Sequence, residues 1–337
     1  MLEVLNGGLH TTVQDMGRRG VMSLGIPPSG AQDGFALRVG NLLVGNPPGG
    51  PLVLGNDPGS AGLEITLGRM KVRAERDQLI ALTGADLGTT IDAEPAPLWQ
   101  AIMLKAGQVL ACGMAKLGAR GYLAVRGGID VPLYLGSRAT HVNGKFGGVE
   151  GRILKAGDRL AVGPSSSDFA ALVGRRLRAD LMPAYTPPWQ VRVVPGPEAH
   201  LFTDASVERF YATAWKLNPK SDRTGMRLMG PKLEFKPGRP RYLVEDAGTD
   251  PSNIVIDPGA PVGTIQVPSG VEPIVLGVDS PTIGGYARIG TVITIDMAHI
   301  GQARPMEIVR FVEISYRDSV AALCAHETLI TAENIVD

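Results

Sequence analysis

Glycine and proline punctuate this chain so densely that long helices and unbroken strands are excluded over most of it. Among 337 residues there are 44 glycines and 26 prolines, and the apolar runs between them are short. Gln78–Thr83, Gly121–Val125, Gln190–Pro195, Pro273–Gly277 and Thr291–Ile295 are such runs. Aliphatic and β-branched residues between turn formers read as strands, and strands at this spacing build barrels or sandwiches rather than a βαβ array. Helices are expected only at about 33–44, about 203–213 after Thr203-Asp204, and about 318–332.

The length suffices for two core-forming domains. Pro164 opens a polar stretch, Arg175–Arg178 adds charge, and Pro183–Pro188 is stiff and extended. The expected layout is a β-rich half over 1–165, a linker over 166–188, a second half over 189–317, and a helical tail over 318–337 packing on the body. Leu43-Val-Gly-Asn46-Pro-Pro-Gly-Gly50 is echoed by Val53-Leu-Gly-Asn56-Asp-Pro-Gly-Ser60. The echo reads as a tandem loop extension, which costs only about 0.6 kcal/mol per doubling of loop length. The other reading is an altered partner contact.

Lysine plus arginine and aspartate plus glutamate are balanced at 33 each, so no global field attracts nucleic acid or a membrane surface. Cys112 and Cys324 are too few for a disulfide framework, and the five histidines never approach metal-ligand spacing. No metal is expected. A charged-then-apolar leader and a membrane-length apolar run are both missing from the sequence, so a cytoplasmic protein is expected. There is no G-x-x-x-x-G-K-[S/T] and no G-x-G-x-x-G between strand and helix, so no local motif announces ATP. Nor is there an Ala-Met-Lys-Met biotin attachment site; Met70-Lys71-Val72 reads as strand.

The bend Gly25-Ile-Pro-Pro-Ser29-Gly30-Ala-Gln-Asp33 precedes the helical run Phe35–Val44. Two prolines fix φ, Gly30 relieves the backbone, and the helix start offers N–H donors to an anionic or carbonyl group. By itself it is a turn with Asp33 as N-cap. Its company changes that reading. Thr11-Thr-Val-Gln-Asp15-Met-Gly17-Arg18 lies upstream, and Leu63-Glu64-Ile-Thr66, Ala81-Leu-Thr83-Gly84-Ala85-Asp86, Tyr122–Pro132 and Leu135-Gly-Ser137-Arg138-Ala-Thr140 lie downstream. Ser221-Asp-Arg223-Thr-Gly225-Met-Arg227, Gln266-Val-Pro268 and Asp279-Ser-Pro-Thr-Ile-Gly284-Gly285-Tyr286 follow.

This ordered set, over about residues 2 to 314, resembles the allophanate hydrolase subunit 2 family. The family takes in the C component of 5-oxoprolinase, kinase-inhibitor antagonists of sporulating bacteria, and the carboxyltransferase domain of urea carboxylase. The resemblance implies a mainly β fold with two cyclophilin-like β-barrels in tandem, a few helices, and a ligand groove between the halves. It implies catalysis at Asp279, Tyr286 and Glu64. Substrate binding is expected at Ser29, Gly30, Asp33, Arg126, Arg138, Arg223, Arg227, Gln266, Gly284 and Gly285.

The residue types fit those roles unevenly. Arg223 and Arg227 read equally as a clamp on an anionic substrate or as surface ion-pair partners. Replacing Arg223 by Ala is expected to weaken turnover more than thermal stability. Asp15 reads as a turn cap, and His141 as a loop residue. Asp279 combines a carboxylate with a flexible approach and an aromatic hydroxyl, which suits a general acid or base. Glu64 points opposite to Leu63 and Ile65 in a strand, toward solvent or a groove, and the resemblance favours the groove.

Three functions follow from the resemblance. The first is a component of an ATP-dependent 5-oxoprolinase, opening a lactam to glutamate, with ATP shared among partner subunits. The partners are then an allophanate hydrolase subunit 1-like protein (the B-type component of 5-oxoprolinase) and a third polypeptide. The second is carboxyl transfer from carboxybiotin, supplied in trans, to urea or a related amide; Trp215-Lys216, Asn218 and Ser221–Gly225 lean toward this version. The third is a non-catalytic module that sequesters a kinase inhibitor.

Overall fold

The computed structural model describes residues 1–50, 57–165, 169–237, 259 and 261–337. It divides into two units. The first takes Met1–Val21, Pro28–Tyr185 and Thr328–Asp337, and the second takes Met22–Pro27 and Thr186–Glu327.

The first unit begins with β1 (Leu2–Gly7), β2 (His10–Gln14), α1 (Gly34–Leu43), β3 (Gly62–Thr66), β4 (Met70–Ala74) and β5 (Gln78–Asp86). Then come β6 (Thr90–Ile91), β7 (Glu94–Pro95), β8 (Ala101–Leu104), β9 (Val109–Ala111), β10 (Leu117–Val125), β11 (Arg159–Leu160) and β12 (Arg176–Leu177). One sheet has the order β11-β1-β4-β9-β6-β7 and the other β2-β3-β10-β5-β8. Along β4 every second side chain is buried: Met70, Val72 and Ala74 face inward while Lys71 and Arg73 face out. The core they enter is completed by Leu2 and Val4 of β1 and by Leu63, Ile65, Leu123 and Val125 of the second sheet.

That alternation fails on β5 and β10, where nearly every residue is buried. The reason is α1, which packs on these two strands and covers the outer face of their sheet. Gly40 permits the close approach: a Cβ there would lie 3.1 Å from Thr83 Oγ1 and 3.2 Å from the Ala124 Cβ. The two echoed loop segments pair with each other, Gly50 N–H donating to Asp57 O at 3.1 Å and Ser60 N–H to Pro47 O at 3.0 Å. Residues 51–56 of that echo and 166–168 of the expected linker lie outside the described residues.

The second unit carries β13 (Trp189–Pro195), α2 (Asp204–Ala212), β14 (Trp215–Leu217), β15 (Gly225–Met229), β16 (Thr264–Gln266), β17 (Ile274–Leu276) and β18 (Arg288–Val292). After them lie α3 (Met297–Gln302), β19 (Ile308–Glu313) and α4 (Tyr316–Glu327). Its strands close a barrel in the order β13-β18-β16-β17-β15-β14-β19, sealed by the parallel pairing of β13 with β19. Thr203 caps α2 by accepting from Ser206 N–H, and Phe210 on that helix stacks on Phe311 at 4.7 Å. The chain is mainly β, as its punctuation predicts.

Two ends differ from expectation. The short α3 has no counterpart among the expected helices, because six residues are too few to display a helical period. The tail is α-helical over α4, none of whose residues is buried, and has a single 3-10 turn at Ala332–Asn334. Beyond α4 the chain rejoins the first unit, where β20 (Ile335–Val336) pairs antiparallel with β12.

Candidate functional site

In the first unit the strand register sets four polar side chains in a row across the outer face of the second sheet. Thr12 stands opposite Glu64, Glu64 opposite Tyr122, and Tyr122 opposite Thr83. All four are buried; α1 packs over the Thr83 and Tyr122 strands, and the bend before it meets Glu64. Glu64 does alternate against Leu63 and Ile65, but it reaches neither solvent nor an open groove and is 1% exposed. Its Oε2 accepts from Gln32 N–H and from the Tyr122 hydroxyl, both at 2.8 Å, and Arg120 Nε lies 3.7 Å from Oε1. Burial, reinforced by the Glu64 carboxylate, holds the Tyr122 phenol well above its ordinary range, so it stays a neutral donor.

The row positions the bend. Asp33 N–H donates to the Tyr122 oxygen at 2.8 Å. Asp33 is the N-cap of α1, its Oδ1 accepting from Ala36 N–H at 3.0 Å while Oδ2 accepts from Tyr185 at 2.7 Å. Gly30 N–H donates to Gln14 Oε1 at 3.1 Å and Ala31 N–H to Asp15 O at 2.8 Å. The donors of Gly30, Ala31, Gln32 and Asp33 are therefore spent inside the unit. This corrects the expectation that they await an anion: a buried bend must satisfy its own backbone.

Ser29 is different. It is 0% exposed, it holds φ at 55° as a non-glycine residue, and its Oγ has no hydrogen-bond partner. Gly17 and Gly30 fix it there, because a Cβ on Gly30 would approach Gly17 N to 2.7 Å and one on Gly17 would approach Ser29 O to the same distance. A strained backbone and an unsatisfied buried hydroxyl at one residue are the two marks expected of a group kept for a ligand.

Asp15 is the cap expected of it, and more. Its carboxylate accepts from Gly17 N–H at 2.8 Å, Ser137 Oγ at 2.7 Å and Arg138 N–H at 2.6 Å. Burial outweighs these donors and holds its carboxyl above the ordinary 3.8. Arg138 thus enters through its backbone, while its guanidinium turns to Asp130 at 3.2 Å. Arg126 lies elsewhere: its Nη1 donates to Val44 O at 2.9 Å, at the C-terminal end of α1. The helix, ten residues long, puts that contact about 15 Å from Asp33. His141 is a loop residue that accepts from Gly144 N–H and stacks on Phe146.

In the second unit Arg223 Nε meets Asp279 Oδ2 at 2.7 Å and Nη2 meets Oδ1 at 3.3 Å, with both side chains 6% exposed. The pair neutralises itself, so Asp279 serves as the counter-ion of Arg223 and not as an isolated acid or base. Arg227 does not share in a clamp: it lies on the exposed face of β15 and pairs with Glu272 at 3.1 Å. Gln266 and Gly285 are packed together, as a Cβ on Gly285 would fall 1.9 Å from Gln266 Nε2. Register separates these groups, with Gln266 opposite Ile274 at the start of β17 and Asp279 just beyond its end. Gly284 has open space around it, and Tyr286 is half-buried.

Among the described residues no group of three or more His, Cys, Asp and Glu could hold a metal ion, and no helix is long and apolar enough to cross a membrane. Cys112 is buried beside Thr89, and burial pushes its thiol up to about 11. Sequence reasoning missed Tyr122, Tyr185, Gln32 and Arg120. Tyr122 carried a signal, standing one strand over from Glu64; Tyr185 carried none.

Comparison with known proteins fits this geometry into a family. The chain is 38% identical to the C component of 5-oxoprolinase from Escherichia coli K12 over 324 residues, covering 96% of this chain and 94% of that protein. It is 34% identical to urea amidolyase of Saccharomyces cerevisiae over 325 residues, which is 94% of this chain but only 17% of the enzyme. The Kluyveromyces lactis urea carboxylase structure superposes with a TM-score of 0.86 at 32% identity, over 100% of this chain and 30% of that one. The family model described as the carboxyltransferase domain, subdomain A and B, matches residues 24–313. The chain belongs to that carboxyltransferase-domain family.

Proposed function

We propose that this chain is the C-type component of a 5-oxoprolinase, which couples ATP hydrolysis to opening of the 5-oxoproline lactam and so yields glutamate. The observation that carries the reading is the end-to-end match, at 38% identity, with the C component of a 5-oxoprolinase. A lactam carbonyl is a poor electrophile, and consumption of ATP supplies its activation. ATP is bound together with partner polypeptides, one of them of the B type and a third beside it, in the cytoplasm where ATP is available. This chain contributes the bend that Glu64, Tyr122 and Asp33 hold, and the Ser29 hydroxyl, buried in the structure, meets the substrate amide when the bend opens to it. Arg223, Gln266 and Tyr286 contribute a second polar region, in which the Arg223–Asp279 pair fixes loop geometry and Tyr286 offers a phenol.

The test is ATP hydrolysis by the complex that copurifies with the tagged chain, with and without 5-oxoproline. Stimulation with glutamate release is the expected result; a complex that ignores 5-oxoproline refutes the proposal. A second reading, carboxyl transfer, is supported by the urea carboxylase superposition over the whole chain. Biotin would then arrive on a carrier polypeptide, and a biotinylated protein in the same eluate would favour it.

A further inference from the structure

Tyr185 closes the polar assembly around α1 from a part of the chain read as stiff linker. It is buried, and its hydroxyl donates to Asp33 Oδ2 at 2.7 Å across 152 positions of sequence. Its ring stacks on Trp99 at 6.4 Å and 26°, and Trp99 in turn tilts against Phe35, in the first turn of α1, at 6.1 Å. Trp99 holds a left-handed backbone at φ 59°, pinned by its N–H to Leu82 O at 2.7 Å and by its carbonyl to Leu177 N–H at 3.0 Å. The aromatic platform is therefore fixed by the sheet, and the phenol is aimed by the platform.

We infer that Tyr185 is a positioning residue for the bend that carries Ser29, acting through Asp33. The two oxygens of Asp33 have separate tasks: Oδ1 caps α1 at Ala36, and Oδ2 accepts from the Tyr185 hydroxyl. Loss of the Tyr185 hydroxyl removes one of the hydrogen bonds that fix the Asp33 carboxylate. Reorientation of that carboxylate pulls Oδ1 off Ala36 and moves the Asp33 backbone, whose N–H is tied to Tyr122 and so to Glu64. Ser29 lies four residues back along the same bend.

The role in turnover rests on the oxoprolinase reading, but the geometry has a readout of its own. Tyr185→Phe keeps the stack on Trp99 and removes one hydroxyl. Hydrogen–deuterium exchange at the Ala36 amide is measured in the full chain, beside its Tm. Both kcat and KM are measured for the ATP hydrolysis that 5-oxoproline stimulates in the copurified complex. The expected result is at least tenfold faster exchange at Ala36 and a fall in kcat of about tenfold. Exchange elsewhere in the unit stays unchanged. Unaltered exchange at Ala36 overturns the inference whatever the turnover. Accelerated exchange throughout the unit, with Tm falling alongside kcat, overturns it too by assigning Tyr185 to stability alone. A wild-type complex that lacks 5-oxoproline-dependent turnover refutes the oxoprolinase reading instead, and leaves the Ala36 result to decide the positioning role.

Discussion

Replacing Ser29 by Gly should stabilise the protein and impair it. The φ of 55° costs a non-glycine residue about 1–2 kcal/mol, which glycine does not incur. Removing a buried hydroxyl that has no partner recovers about 1–3 kcal/mol more. Against this, glycine gains freedom in the unfolded chain worth about 0.5–1 kcal/mol, and loss of the β-carbon forfeits about 0.8 kcal/mol of burial. The net is a gain on the order of 1–2 kcal/mol, or roughly 4 °C in the Tm of a unit of this size. Turnover should drop about tenfold or more, the worth of one hydrogen bond to substrate. Thermal unfolding of the purified chain and 5-oxoproline-dependent ATP hydrolysis by the complex read the two effects separately. Ser29→Ala separates them further, since it removes the hydroxyl and keeps both the β-carbon and the strained backbone, so it should show the activity loss with a comparable gain of about 1–3 kcal/mol. A destabilised Ser29→Gly chain would refute the reasoning, because the hydroxyl would then have a partner within the protein. Full turnover in a stabilised variant would refute the ligand role alone.

Gly30→Ala should be among the most damaging small changes, since its Cβ would meet Gly17 N at 2.7 Å with φ at 91°; a loss of more than about 2 kcal/mol in urea unfolding is expected. Arg223→Ala is now expected to cost about 3 kcal/mol, reversing the sequence-based expectation, because it strands a buried Asp279 carboxylate. Replacing both partners by Met and Leu should restore most of that stability, and a double variant as unstable as the single one would count against the pair. For Asp15 the folded carboxyl titrates above its ordinary 3.8. The folded state therefore binds the extra proton, and the contribution of Asp15 is greatest below that pH and declines as pH rises through the folded value. The stability gap between wild type and Asp15→Asn should narrow from pH 3 to pH 7 in urea midpoints, and a gap that widens with pH would contradict the assignment.

Much of the architecture was legible locally. Glycine and proline spacing marked the strands, and Thr203 and Asp33 marked helix starts that α2 and α1 honour, because capping is settled within three or four residues. The alternation of Leu63, Glu64 and Ile65 correctly assigned Glu64 to the face away from the core. What that face meets was not legible. It is the bend before α1, brought over the sheet from earlier in the chain, that meets Glu64, and the pairing of β3 with β10 that sets Tyr122 beside it.

The sequence by itself determined element types and the residues of the bend, since these depend on backbone preferences and on neighbours a turn or a strand away. Tertiary structure decided which polar groups are used up. Arg223 and Asp279 are 56 positions apart, and Tyr185 and Asp33 are 152 apart, yet each pair shares a hydrogen bond. A side chain's chemistry depends on which donors and acceptors the folded register brings within about 3 Å of it, and no periodicity encodes that distance. The same rule applies at Ser29: the fold satisfies the bend's next four N–H groups and leaves the Ser29 hydroxyl without a partner.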